Sequence, residues 1–415
     1  MRYSISKIQL FNYIILISIT LCFCNEVLNG IIQKNYLDKI AFLLLLVTGL
    51  FNLITLKKIK LRHPSFLIGF LFLSVLYIVF SFNTLLSFVY EYFKIFSFVI
   101  FLPILKNYKT LDIVELGKKL LWLINTILIF NLVIIGFQFL FGQEIIRFLG
   151  YSDLRVYGNE YHGRLTGFIH LGTLGPISLL MLLINRLINN DKKKHRKYLI
   201  IGVLSVFFST SKISYALLLI FIVIEYKNVF FKHFYKIILG FGALLILLYS
   251  YVEKAILSKI KQYTILLDNL GNSEYINLAY VEKRAIFIDR AIVIFKEHPF
   301  GLGFGSYGDS SSKFNPNHYK LPKTLWPEGS VFMSDSVVAH YIAEQGLFYI
   351  LYLILLFSIY SYTKLEWKKY VVMFIVFYVL NSLVTMGISS GNWPVLFSLV
   401  YALFYYSKNY EQTRV

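Results

Sequence analysis

The stretch "KNYKTLDIVELGKK" (106–119) runs straight into "LLWLINTILIFNLVIIGFQFLF" (120–141). The first holds four lysines and the second holds no ionisable side chain. About 20 apolar residues, coiled as a helix, match a hydrocarbon core about 30 Å thick. The same alternation repeats along the chain. Of its 415 residues, 57% are hydrophobic and only 15% are charged. A soluble protein of this size has too little interior for so much apolar surface. The expected fold class is therefore an all-α polytopic membrane protein with about twelve spans.

The runs lie near 8–24, 38–56, 64–82, 86–105, 119–141, 168–188, 198–211, 212–226, 234–252, 341–362, 370–388 and 391–407. The first follows Arg2 and Lys7, as in a signal peptide, but lacks a small-residue cleavage site and reads as a span. The seventh and eighth flank Ser209-Thr210-Ser211-Lys212 and form a short pair with a tight turn.

Charge sets the orientation. The loops at 56–63, 106–119, 189–197, 227–236 and 364–369 hold 4, 4, 5, 3 and 3 Lys and Arg, and the two ends add 2 each, 23 of the chain's 41. The short loops opposite, such as 82–88 and 389–393, hold none. Positive loops stay in the cytoplasm, so both termini are expected there. The net charge of +19 is thus a topology signal, and nucleic-acid binding is excluded because no soluble basic domain exists to carry it. Cys22 and Cys24 both fall in the first run, which leaves neither a disulfide framework nor a zinc site.

Three regions follow. Residues 1–252 carry about nine spans, with a smaller outer segment at 142–167. Residues 253–340 form a large extracytoplasmic loop. Residues 341–415 carry the last three spans and a cytoplasmic tail. Loops this long are usually functional. There is no internal repeat and no inverted symmetry.

Within the large loop, "VEKRAIFIDRAIVIFKE" (281–297) reads as a helix ended by Pro299. Its polar positions Glu282, Lys283, Asp289, Arg290, Lys296 and Glu297 make a narrow stripe beside a broad apolar face. That pattern suits a helix lying on the outer leaflet. "HPFGLGFGSYG" follows, with glycines at 301, 303, 305 and 308, which allow close backbone approach. It lacks the Lys-Ser/Thr of a phosphate loop. Arg284 and Arg290 stand next to it, and Arg164 and Lys212 also lie on the outer side. Such cations either snorkel to headgroups or bind an anionic ligand. Glu91 and Lys94 read as an ion pair within one helix, and His170 and His340 as hydrogen-bonded structural residues. No metal-ligand spacing and no serine-nucleophile elbow occur, and no cofactor is expected.

"GRLTGFIHLGTLGP" (163–176), "STSKISYALL" (209–218), "KRAIFIDRAIVIFKEHPFGLGFGSY" (283–307) and "SDSVVAHYIAEQG" (334–346) occur in that order. In order and topology they resemble the O-antigen ligase/O-antigen polymerase (Wzy-like) superfamily, over about Arg164 to Phe357. The resemblance places Arg164 and Lys212 at the family's two basic positions. Arg284 becomes the leading arginine of the loop helix. Arg290 and Gly301 fit the polymerase Arg-x10-Gly spacing, and Gly303 completes the Gly-x-Gly. Glu344 and Gly346 match the family's Glu-x-Gly. The His-Asn pair of ligases is replaced by Asp335-Ser336, which favours a polymerase over a ligase.

The resemblance implies a substrate: an oligosaccharide repeat unit on undecaprenyl pyrophosphate, in the bacterial cytoplasmic membrane, with the active face extracytoplasmic. Catalysis falls to Asp335, Glu344 and Arg284. Arg164, Lys212, Arg290, Gly301 and Gly303 bind pyrophosphate and glycan, without metal. Membrane lipid and a chain-length regulator are the other implied partners. Asp335 reads equally as base or as helix cap, and Glu344 as second base or as a buried structural acid. The alternatives are an O-antigen ligase acting on lipid A core and a lipid-linked oligosaccharide flippase or transporter.

Overall fold

The computed structural model describes residues 7–24, 37–55, 110–142, 145, 167–169, 171–188, 192–209, 211–226, 283–308, 319–320, 336–384 and 393–406. Among them every regular element is helical. The helices are α1 (Lys7–Phe23), α2 (Leu37–Thr55), α3 (Thr110–Phe141), α4 (Leu171–Ile188), α5 (Lys192–Phe208) and α6 (Lys212–Glu225). There follow α7 (Lys283–Glu297), α8 (Val337–Gln345), α9 (Leu347–Phe357), α10 (Ile359–Tyr362), a 3-10 turn at Leu365–Trp367, α11 (Lys368–Val384) and α12 (Trp393–Tyr406). The runs near 64–82, 86–105 and 234–252 lie outside the described residues.

One helical stretch among them, Asp112–Phe141, is long and apolar enough to cross a membrane, and Ile8–Leu21, Thr173–Ile188 and Leu347–Ser361 are shorter apolar stretches. Helix α3 has 32 residues, about 48 Å at 1.5 Å each. It begins nine residues before the 119 read from the sequence. Hydropathy misses this part because it is charged, yet its charges favour a helix. Asp112 sits in the first turn, where the helix dipole welcomes an acid. Glu115 pairs with Lys119 at 2.8 Å across one turn, in the favourable order. Likewise α5 starts at Lys192, so part of the lysine-rich loop read at 189–197 is helix.

Helix α4 lies at the centre. Leu179 to Ile184 are all buried, which requires neighbours on every side. It packs on α3, α5, α6, α11 and α12. Arg186 near its end donates from Nε to Glu225 Oε2 and to the Tyr370 hydroxyl oxygen, both at 2.9 Å, and Tyr370 donates to Glu225. One cation, one acid and one phenol thus fasten α4, α6 and α11 together.

The start of α4 is held by α3. Asn131 Oδ1 accepts the backbone N–H of Phe168 at 2.8 Å and of Ile169 at 3.0 Å, and Gln138 Oε1 accepts that of Gly167 at 2.7 Å. A chain entering a helix has N–H groups with no partner in its own turn, and two amides seven residues apart supply them here.

A joint between a glycine turn and the end of a helix

Helix α7 stops where the sequence says it should, at Glu297, with His298 N–H still reaching the Ile294 carbonyl at 2.6 Å. Its apolar face is not spread on a lipid surface. Ile286, Phe287, Ala291 and Ile294 pack with Ala339 and Ala343 of α8 and with Tyr307. Nor is its polar stripe uniformly wet. Lys296 and Glu297 are exposed, but Asp289 and Arg290 are buried. Part of the face that the outer-leaflet reading gave to lipid is thus covered by α8, while Ile292, Val293 and Phe295 stay partly exposed.

The turn after α7 folds back onto the end of α8. The last carbonyls of a helix lack partners inside it. Here Leu302 N–H donates to the Ala343 carbonyl and Gly303 N–H to that of Glu344, both at 2.9 Å. In return Leu347 N–H donates to the Pro299 carbonyl at 2.9 Å. Two glycines make the approach possible. Gly346 caps α8 at φ +53° and ψ −124°. A methyl there would meet Pro299 C at 2.7 Å and Gly301 N at 2.8 Å, and would collide with the Pro299 carbonyl oxygen. Gly301, at φ +81°, has the Glu344 and Gln345 backbone in the same relation. The Gly-x-Gly and Glu-x-Gly motifs, 43 residues apart, are therefore two sides of one backbone joint.

The Glu344 carboxylate lies inside this joint. It is fully buried. Oε1 accepts the Tyr307 backbone N–H at 3.0 Å, and Oε2 stands 3.5 Å from His340 Nε2 one turn back. Tyr307 closes the other side, its hydroxyl donating to the Phe287 carbonyl of α7 at 3.3 Å. Burial, with Tyr319 close by, pushes the Tyr307 phenol well up and keeps it neutral.

Arg290 Nη2 stands 3.2 Å from Asp289 Oδ2. Neighbours on a helix point about 100° apart, and this contact lacks hydrogen-bond alignment: among the described residues Arg290 Nε and Nη2 have no hydrogen-bond partner, although the residue is 7% exposed.

The structure thus gathers Glu344, Gly301, Gly303 and Arg290 around α7, the turn and α8. Lys212 stands elsewhere, exposed at the first position of α6, and makes no hydrogen bond or ion pair among the described residues. The turn that carries Lys212 is held tightly. Ser211 caps α6 by accepting the Ser214 N–H at 3.3 Å, and Gly175 of α4 leaves room for Ser209 and Ser214. Arg284 falls in the first turn of α7, where its backbone alone is described. Arg164 and Asp335 lie outside the described residues, as do Glu91, Lys94 and His170. The cap of α8 is Ser336, whose Oγ accepts the Ala339 N–H at 3.2 Å. The capping role weighed for Asp335 is thus filled by its neighbour.

The sequence reading passed over Asn131, Gln138 and Tyr307. The two amides carried a usable signal: they stand two turns apart on one face of an otherwise apolar run. Tyr307 carried none: its N–H is a group every residue has, and nothing local foretells that its hydroxyl reaches the Phe287 carbonyl. Among the described residues no group of His, Cys, Asp or Glu has the arrangement of a metal site. Comparison with protein-family models, with curated proteins and with solved structures found no match.

Proposed function

We propose that the chain is a polytopic enzyme of the bacterial cytoplasmic membrane, with about twelve spans, that polymerises oligosaccharide repeat units carried on undecaprenyl pyrophosphate. The observation that carries this reading is Arg290: a buried guanidinium beside Asp289, whose Nε and Nη2 have no hydrogen-bond partner among the described residues, on the helix that leads into the glycine turn. An unmet buried donor costs about 1–3 kcal/mol. An oxyanion meets such a fork better than any neutral group. The membrane part of the reading is supported by apolar side chains that face outward, among them Phe139, Leu140 and Phe141 at the end of α3 and Phe207 on α5.

In this mechanism the sugar hydroxyl of one unit attacks the anomeric carbon of the other. The bond from that carbon to pyrophosphate breaks, and lipid pyrophosphate leaves. Arg290, with Arg284 and Arg164, stabilises the charge that develops on the leaving group. Asp335 accepts the hydroxyl proton.

The test uses purified protein in detergent with a lipid-linked repeat unit. Chain growth without a bilayer is expected, and Asp335→Ala abolishes it at normal protein level. Activity that demands a sealed membrane identifies a flippase. Transfer only to a lipid A core acceptor identifies a ligase.

A further inference from the structure

We infer that Glu344 is a positioning residue and not a proton acceptor: it locks the 299–308 turn onto α8 and so fixes where α7 presents Arg290. The inference deepens the polymerase reading and rests on it for the consequence, though not for the geometry. A general base must come within about 2.6–3.2 Å of the proton it takes. The Glu344 carboxylate is instead buried between a backbone N–H and an imidazole. Its contacts tie the turn to α8. Oε1 holds Tyr307 N–H, while the Glu344 carbonyl holds Gly303 N–H. One residue therefore grips the turn at two points four residues apart. Tyr307 then passes the constraint to α7 through its hydroxyl on the Phe287 carbonyl, one turn before Arg290. Helix α7, the turn and α8 move as one body as long as the carboxylate keeps its grip.

The two roles separate by substitution. Glu344→Gln keeps an oxygen for Tyr307 N–H but cannot accept a proton at neutral pH. Glu344→Ala removes the oxygen. Glu344→Asp keeps the charge but is one methylene short, and serves if the alanine variant does not accumulate. The reporter is a single cysteine at Phe304, which is buried in the docked turn, in full-length protein with Cys22 and Cys24 changed to serine. Maleimide labelling in detergent reads docking, and chain growth is measured in parallel. The expected result is labelling at least tenfold faster in the Ala and Asp variants, with chain growth falling at least tenfold. The Gln variant stays protected and keeps chain growth within about threefold of its Glu344 parent. A Gln variant that stays protected but loses chain growth overturns the inference, as does an Ala variant labelled at the parent's rate. If the labelling pattern holds and no variant or parent polymerises, the turn is positioned as described and the polymerase reading alone is lost.

Discussion

Replacing Gly346 by alanine puts the joint under its most direct test. The added methyl would stand 2.7 Å from Pro299 C and 2.8 Å from Gly301 N, against backbone that has no side-chain freedom with which to retreat. The backbone itself, at φ +53° and ψ −124°, is a conformation an L-residue holds only at a cost of about 1–3 kcal/mol. Relieving the clash means moving the turn, which gives up the Leu347 to Pro299 hydrogen bond, another ~1 kcal/mol. The sum is a loss of about 2–4 kcal/mol before the Leu302 and Gly303 bonds are counted. Gly136 is the control. It lies in α3 and nothing stands within 4 Å of a methyl added there. Alanine at that position is expected to gain about 0.5–1 kcal/mol by stiffening a helix interior. Thermal melting of the detergent-solubilised protein, followed by tryptophan fluorescence, reads both. At about 1 °C per kcal/mol for a chain of 415 residues, Gly346→Ala melts about 2–4 °C lower and Gly136→Ala no lower. Equal melting of Gly346→Ala and the parent would refute the close approach.

Three further outcomes are expected. Asn131→Leu strands two backbone N–H groups and Gln138→Leu one; at about 1–3 kcal/mol each, the first lowers stability about twice as much, read by the same melts. Tyr370→Phe removes one hydroxyl from the Arg186–Glu225 pair but leaves the ion pair standing, so it costs about 1.5–3 kcal/mol while Arg186→Ala, which leaves the partly buried Glu225 carboxylate without its cation, costs more. Arg290→Lys keeps the charge and loses the fork, so kcat/KM for chain growth falls roughly 10- to 150-fold, the equivalent of one charge-assisted hydrogen bond; a fully active lysine variant refutes recognition of an oxyanion by both donors.

The helices were legible in the sequence to different degrees. The apolar runs at 8–24, 38–56 and 212–226 coincide with α1, α2 and α6 to within a residue or two, because hydropathy and helix length are local properties. The starts of α3 and α5 were missed for a related reason: their first turns are charged, and a measure that counts apolar residues passes over them. In α3 an acid in the first turn and the Glu115–Lys119 pair favour the helix all the same. Pro299 marked the end of α7 correctly, since proline acts on the turn before it. The candidate site was legible only in part. The glycines at 301 and 346 signalled close approach, but nothing in either motif says that they approach each other. That pairing runs through backbone atoms, which every residue has. The burial of Asp289 and Arg290 was hidden for a similar reason: an amphipathic pattern records which face is apolar, not which face a neighbouring helix will cover.

The joint also sets where this chain can be recombined. The last carbonyls of α8 are terminated by a segment about forty residues upstream, and neither partner ends properly alone. A hybrid that takes its large loop from one protein and its final helices from another would divide the two halves of a single cap. Because the bonds themselves are backbone to backbone, an exchange leaves the cap whole where it keeps Gly301, Gly346 and the Glu344 carboxylate, and breaks it where any of them is lost. Substitutions at Gly301, Glu344 and Gly346 are therefore coupled across some forty residues of sequence, while their neighbours in the two stretches are free to vary.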